Sequence, residues 1–435
     1  MRTDADCVVR PTTASESRGE RNRIAIVTGV SLAHNPRALK EAITLRRAGH
    51  HVIVLGSEAV PSRLAVDEAL ARRHDFTFLA VAALGNPGFL NWVRSVRWRC
   101  RNKLGRALYE LVAIENRFQL GYFVPELLRQ AMAISADYYI VHLEQALWVG
   151  WRLLKAGFRV GIDMEDWYSE DLLPQARSHR PLNLLRSLEA QLLRGAAHAV
   201  CPSEAMSAAL AAEYKCRPPA VIYNSFEWAE RRWLDGLLKD RKNRRMPSVH
   251  WCSQTLGPGR GLEDLFAALP YINHETEIHL RGNPVNGFES WLVSCVPDTW
   301  RKRIFVHSLV PSNELLSRIA EHDIGFAGEQ KYCRNKDLTI SNKILQYLLG
   351  GLAVVASDTA GQREVARQAP GGVLLYPCGD AIALAERLNE LLGSAERLAG
   401  VKATAMRAAK ETFCWEKCAP QLVQSVERAL CSPSC

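Results

Sequence analysis

From residue 23 onward, short apolar runs rich in β-branched residues alternate with stretches whose apolar positions recur every three or four residues. "RIAIVTG" (23–29) predicts a buried strand, "PRALKEAITLRRAG" an amphipathic helix, and "HVIVLG" (51–56) the next strand. "FTFLAV", "YYIVHL", "RVGIDM" and "AHAVCPS" continue the series, and "AVIYN" (220–224) closes it. Continuous apolar strands separated by amphipathic helices predict a parallel sheet covered on both faces. The charged segment "EWAERRWLDGLLKDRKNRRMP" (227–247) interrupts the pattern, which restarts with "SVHWCSQ", "EIHLRG", "RIFVHS", "DIGFAG", "LAVVASD" and "GVLLYP". The division expected is a loose polar tail (1–22), a first domain (23–226), a linker (227–247), a second domain (248–410) and a final helical segment (411–435) that crosses back to the first domain. The fold class is α/β, with two Rossmann-like doubly wound parallel sheets facing each other across a cleft.

Composition narrows this picture only slightly. A chain of 435 residues exceeds one ordinary core, in keeping with two domains. The formal charge of +9 favours anionic partners: phosphates, nucleic acid or an acidic membrane face. Its basic residues are spread along linker and helix with no RNA-module motif, so nucleic acid is not the expected partner. Twelve cysteines are scattered without metal-site spacing, which predicts reduced thiols and a cytoplasmic chain. The amino-terminal residues lack an apolar leader core, and no apolar run reaches the length of a membrane span. One stretch, "FLNWVRSVRWRCRNKLGRALYE" (89–110), combines Arg and Trp on a helical pattern. It reads either as a solvated basic helix with its Trp residues packed inward, or as an amphipathic surface resting on anionic lipid at the inner face of a membrane.

Ligands of open α/β sheets bind beyond the carboxyl ends of the strands. In the first half, the polar residues placed there run from Gly29 to Asn35, followed by His142 and Glu144, then Asp163, Glu165 and Asp166. An acidic loop of this kind equally serves solvation or helix capping. In the second half they include "SQTLGPGRG" (253–261), Gly282, His307, Glu329 and the segment "TISNKILQ" that begins at Thr339. In "SQTLGPGRGLEDL" a strand gives way to a loop containing Gly257, Gly259 and Arg260, and then to a helix. Loop N–H groups, a helix start and a guanidinium suit a diphosphate, although an ordinary βα loop with a solvent-facing Arg has the same letters. Thr339, Ser341, Asn342 and Lys343 precede another helix, where capping and anion binding coincide. The dinucleotide fingerprint and the nucleoside-triphosphate P-loop are both absent.

These motifs, in this order over residues 23–430, resemble the GT-B glycosyltransferases, specifically the large retaining, family 4-like (group 1) set that uses nucleotide-diphosphate sugars. The family's G-R-L-x-x-x-K-G is matched by Gln254 to Gly261, with Arg260 in place of the Lys that neutralises the donor diphosphate and Thr255 in place of the Arg. "HSLVPSNELLSRIAEHDIGFAG" is similar to the base pocket, with the Val310 backbone near the nucleobase. "NKILQYLLGGLAVVASD" resembles the block that ends the E-x7-E motif, but Gln346 and Leu338 stand where the two glutamates belong. Gln346 retains the capacity to bond a ribose hydroxyl, and Glu329 or Asp337 would have to serve for the other. "YYIVHLEQ" resembles the strand whose terminal His, here His142, faces the donor sugar, and Gly29 matches the loop that approaches the diphosphate. "FCWEKCAPQLVQSV" is similar to the start of the returning carboxy-terminal helix.

The resemblance implies a retaining transfer of sugar from a nucleotide-diphosphate donor to a glycan or lipid-linked acceptor, in cell-surface polysaccharide synthesis. His142, Arg260 and Lys343 would be catalytic. Gly29, Thr255, Gly257, Gly259, Gly282, Val310, Glu329, Thr339, Ser341, Asn342 and Gln346 would hold the donor. Asn35, Asp163 and Glu165 would meet the acceptor. The fold needs no metal motif, so no metal ligand is assigned and a divalent ion is optional, with the sugar nucleotide as co-substrate. Loss of both glutamates leaves a binding protein without turnover as the alternative. A sugar-nucleotide epimerase is a second alternative that lacks its carboxylates here.

Overall fold

The computed structural model describes residues 22–58, 61–83, 88–241 and 246–431; all but one residue of the expected amino-terminal tail lies outside this set. The first domain carries strands β1 (Arg23–Thr28), β2 (His51–Glu58), β3 (Thr77–Ala83), β4 (Tyr138–His142), β5 (Val160–Asp163), β6 (His198–Cys201) and β7 (Ala220–Val221). The second carries β8 (Ser248–Leu256), β9 (Glu277–Pro284), β10 (Ile304–His307), β11 (Ile324–Ala327), β12 (Ala353–Ser357) and β13 (Val373–Tyr376). Among the described residues the sheets run in the order β3-β2-β1-β4-β5-β6-β7 and β10-β9-β8-β11-β12-β13, and every pairing is parallel.

Continuous burial explains the lack of alternation in the strand sequences. β4 and β12 are buried at every residue because helices cover both faces of each sheet. One face of the first sheet gathers Val141, Ile162, Trp167 and Leu192, and one face of the second gathers Trp251, Phe266, Phe326 and Tyr376. In each sheet the strand order reverses once, between β1 and β4 and between β8 and β11. Those two switch points are where a doubly wound sheet opens a crevice. Gly29 follows β1 and His142 ends β4 at the first, and the Gly257–Gly261 loop and Glu329 follow the strands at the second.

The carboxy-terminal helix Trp415–Cys431 packs on the first domain. Leu422, Val426 and Ala429 join Ile24 and Ile26 in one cluster, and Trp415 Nε1 donates to Thr44 Oγ1 at 2.9 Å. Two expectations change. The run at 220–224 is a strand only over Ala220–Val221, because Arg37 donates to the Ile222 carbonyl (2.8 Å) and Lys40 to the Ser225 carbonyl and to Asn224. The 227–241 part of the linker is fastened to the second domain, with buried Arg241 paired to Asp323 at 2.9 Å and Asp235 and Asp240 paired to Arg318 and Arg281.

Beneath Asp240 lie four histidines. His279 meets His307 through Nδ1 and Nε2 at 3.0 Å, and His322 stacks on His250 with centroids 4.6 Å apart. Asp240, Glu277, Arg241 and Arg281 are the charged groups around them. Burial pulls all four imidazoles below the ordinary 6.5, His322 to about 4 and His279 to about 2. The unfolded chain therefore binds protons that the folded chain refuses between those values. The stability these four histidines contribute is complete above the unfolded value and falls as pH drops through 6.5 toward 4. Thermal melts across this range are expected to show a falling midpoint, and His322→Gln to make the slope shallower; a midpoint independent of pH would contradict this origin.

Candidate functional site between the domains

The second-domain wall is built around the ends of β8 and β11. β8 inserts one extra residue against β9 between Cys252 and Thr255, a bulge that turns the strand end before the glycine loop. Gly282 lies behind this bulge, where a Cβ would come 2.7 Å from the Ser253 carbonyl oxygen. Gly261 takes φ 83°, and a Cβ there would sit 2.3 Å from the Gly328 carbonyl oxygen, so only glycine lets the loop close on the end of β11. Segments far apart in sequence thus meet: Gly261, next in the chain to exposed Arg260, lies against the backbone that leads into Glu329. Among the described residues the Arg260 side chain has no ion pair.

Glu329 is anchored through its own backbone. Its N–H donates to Ser357 Oγ at 2.7 Å, and the Ser357 hydroxyl donates back to its carbonyl at 2.8 Å, with Gln362 holding Ser357. Its carboxylate accepts from Ser341 Oγ at 2.9 Å and from Lys343 Nζ. Burial would raise this carboxyl, but Lys343 more than offsets it and leaves it below the ordinary value. Ser341 caps the helix Asn342–Gly350 by accepting from Lys343 N at 3.3 Å. Gln346, half-buried, follows one turn later, and no charged group is paired with it among the described residues.

The first-domain wall is a buried charge network. Asn35 caps the helix Pro36–Arg47, accepting from Ala38 N at 2.9 Å, which starts Arg37 and Glu41 on one inward face. Arg37 Nε donates to Asp163 Oδ2 at 2.5 Å, both residues being buried. His142 donates through Nε2 to Glu41 (2.8 Å) and through Nδ1 to Glu165 (2.9 Å), which also accepts from Asn35 Nδ2 at 2.8 Å. Burial opposes a charge on His142, but Glu41 and Glu165 outweigh it and hold the ring protonated well above 6.5. Burial pushes the Asp163 carboxyl up, with Arg37 restraining the rise. Glu41, His142 and Asp163 place ligand-type atoms within 4.8 Å of one another. Both ring nitrogens are taken and Arg37 sits on Asp163, so these carboxylates already have cations of their own.

One amide joins the walls. Asn335, buried on the helix Arg334–Leu338, donates to Asp166 Oδ1 (2.7 Å) and Asp171 Oδ1 (3.0 Å) and accepts from Trp167 N (2.9 Å) and Thr339 Oγ1 (2.9 Å). Ser203 donates to the Leu338 carbonyl at 2.6 Å, and Glu364 accepts from Glu204 N and Tyr223 OH at 2.8 Å each. Next to Asn335, Lys336 is half-buried. Burial lowers its pKa, but Asp166 and Asp171 from one domain and Glu329 from the other raise it further.

The geometry revises several expectations. His142 does not face the cleft: it is fully buried, and Glu165, 15% exposed, is the member of its network that reaches the surface. Asp163 is enclosed with Arg37, and Asn35 is occupied with capping and with Glu165. Thr339 turns to Asn335 instead of the following helix, and Asn342 Oδ1 accepts from Asn224 of the first domain at 3.1 Å. Lys343 is not a free cation but the partner of Glu329. Thr255 lies in β8, paired with Asn283, and Gly257 and Gly259 belong to the Arg260 loop, with Gly257 packed on Val285, while Val310 lies half-buried past β10, on the far side of β9 from β8. Gly29 packs on Gln145 at a cavity of about 270 Å³ lined also by His34, Tyr122 and Phe123. Glu41, Arg37, Asn335 and Lys336 were not anticipated. The i, i+4 spacing of Arg37 and Glu41 after a capping Asn was the one available signal.

No family model matches the chain, and no curated protein matches it. Solved structures do. HepE of Anabaena, in complex with UDP, superposes with a TM-score of 0.66 at 16% identity, over 93% of this chain and 99% of that one. Sucrose-phosphate synthase of Thermosynechococcus elongatus gives 0.67 at 16% identity, over 94% and 99%. WaaG, a glycosyltransferase involved in lipopolysaccharide biosynthesis, gives 0.59 at 12% identity, over 92% and 98%. The fold is GT-B, two parallel-sheet α/β domains with a cleft between them.

Glu41→Gln removes the carboxylate that, after burial, acts most strongly on His142. The imidazole of the unaltered chain is expected to stay protonated past neutrality, and that of the variant to titrate at a distinctly lower pH. Imidazole carbon shifts followed by NMR from about pH 5 to pH 9 check this; an unchanged titration would contradict the assignment.

Proposed function

We propose that the chain is a glycosyltransferase that moves a sugar from a nucleotide-diphosphate donor to a glycan or lipid-linked acceptor, with retention, in polysaccharide synthesis. The observation that carries this reading is the corner where the Gly257–Gly261 loop, with Arg260 unpaired among the described residues, closes on Gly328, next to the Glu329 that bonds Ser341 and Lys343 at the start of the capped helix. Support comes from the GT-B fold and from HepE, whose structures hold UDP, UDP with glucose, and UDP-glucose. In this reading Arg260, the first-turn N–H groups after Ser341 and the nearby Lys336 receive the diphosphate and offset the charge that builds on it as the sugar departs. Gln346 bonds a ribose hydroxyl as a neutral partner, and the Val310 backbone borders the base.

The buried network refines the role of His142. Both ring nitrogens donate, so the ring has no lone pair with which to act as a general base. A protonated ring also cannot stabilise positive charge at the reacting carbon. The carboxylates Glu41, Asp163 and Glu165 outnumber the cations Arg37 and His142, so the network carries a surplus of negative charge. Glu165 presents it toward the cleft, where it would face the sugar as its carbon becomes electron-poor. His142 is then a positioning residue that fixes Glu165.

Arg260→Ala removes one charge-assisted contact, and donor affinity is expected to fall about 10- to 100-fold. Calorimetry with a panel of nucleotide sugars, chosen by the rise in melting temperature each produces, measures this. Undiminished affinity would place the diphosphate elsewhere, and tight donor binding without transfer or hydrolysis would establish a binding protein instead.

A further inference from the structure

The helix Phe89–Val112 presents its faces the wrong way round for a surface helix of a water-soluble domain. Such helices turn their apolar stripe inward. Here the buried positions are Ser95, Asn102 and Gly105. Their surroundings are polar: Asn102 Nδ2 donates to the Phe118 carbonyl at 2.6 Å, Asn116 Nδ2 donates to the Gly105 carbonyl at 2.9 Å, and Arg101 pairs with Glu126 at 2.8 Å. Trp98 packs inward, edge-on to Phe123 with ring centroids 5.0 Å apart, but Trp92 is 61% exposed. The expectation that the Trp residues pack inward holds for only one of them.

The outward face is apolar. Phe89, Val93, Val96, Leu104 and Leu111 follow steps of three, four, seven and eight residues, which align on one side of an α-helix. Phe89 is 76% exposed, Leu104 62% and Leu111 81%. At 1.5 Å per residue, the stripe from Phe89 to Leu111 is about 33 Å long. By helical phase Arg94 and Arg97 flank it on one side and Arg99, Lys103 and Arg106 on the other, all exposed. Among the described residues none of these five has an ion pair. The helix holds six cations and one acidic residue, Glu110.

We propose that this helix docks the protein on the surface of an anionic lipid bilayer, lying in the interface with Phe89, Val93, Val96, Leu104 and Leu111 toward the acyl chains. An interfacial helix combines an apolar face with cations at its margins, where they meet lipid phosphates, and a Trp at headgroup level. Cations on both margins repel a second copy of the same stripe, which disfavours self-association as the cover. No helix among the described residues is long and apolar enough to cross a membrane, so the contact is peripheral. The inner side of the helix adjoins Tyr122 and Phe123, which line the cavity beside Gly29, so docking would hold that cavity close to the lipid surface. The inference does not depend on sugar transfer.

Co-sedimentation of the full chain with vesicles tests it at low salt. Vesicles of phosphatidylcholine with phosphatidylglycerol should retain the protein, and vesicles of phosphatidylcholine alone should retain it far less. Val93→Asp with Leu104→Asp, and separately Arg97→Gln with Arg99→Gln and Arg106→Gln, should each reduce retention about tenfold or more. Their melting temperature should match the unaltered chain, because all five side chains are exposed. Failure to sediment with anionic vesicles, equal retention on neutral ones, or retention unchanged in both variants would overturn the proposal. So would concentration-dependent self-association that the apolar variant abolishes in the absence of vesicle binding.

Discussion

At the boundary between the two domains the side-chain amide of Asn335 is bonded on both sides. An amide can donate twice and accept at its oxygen, and all of this capacity is spent across the domain boundary or on the loop that follows. Its donors hold Asp166 and Asp171, and its oxygen holds the Trp167 N–H. A carboxylate at this position would repel Asp166 and Asp171, and an alkyl group would leave the buried Trp167 N–H without a partner. Arg334 lies over the Trp167 ring at 4.3 Å, and Ser203 fixes the Leu338 carbonyl, so the short helix bearing Asn335 is pinned at both ends. Glu329 precedes this helix and Ser341 and Lys343 follow it, so the clasp lies in the chain between Glu329 and the two groups that bond its carboxylate.

Across that cleft the charge is divided. The second-domain side carries Arg260 and the Ser341-capped helix start, with Lys343 already balanced by Glu329. The first-domain side ends in Glu165, backed by a network that keeps His142 protonated. Lys336 stands between them and responds to Asp166, Asp171 and Glu329 together. A diphosphate on one side and an electron-poor sugar carbon on the other would each meet the opposite charge. Positioning in this scheme is electrostatic, and Glu329, Lys343, Glu165 and His142 are held by hydrogen bonds before a ligand arrives, while Arg260 is left exposed to meet one.

The alternation of apolar runs and amphipathic helices was legible because both sheets are buried on both faces, which leaves strands such as Tyr138–His142 without polar interruptions. The strand ends were equally legible, since topology alone puts Gly29, His142, Arg260 and Glu329 at the switch points. What the sequence could not convey was the direction of individual side chains. His142 reads as a cleft residue until Glu41, on a helix a hundred residues earlier, is seen to take its outer nitrogen. Thr339 reads as a cap for the helix it precedes, yet it bonds backward to Asn335. The Trp-bearing helix showed its amphipathic composition, but which face was buried rested on Asn102, Gly105 and their contacts with the 116–118 turn.

The central claim, that the glycine loop after β8 and the helix beginning at Asn342 form one donor site, is tested most directly by backbone hydrogen exchange with and without a nucleotide-diphosphate sugar. Added donor should slow exchange in residues 257–263 and 341–346 together, with little change in the helix Phe89–Val112. Slowing in only one of the two segments, or protection confined to other parts of the chain, would contradict a shared site.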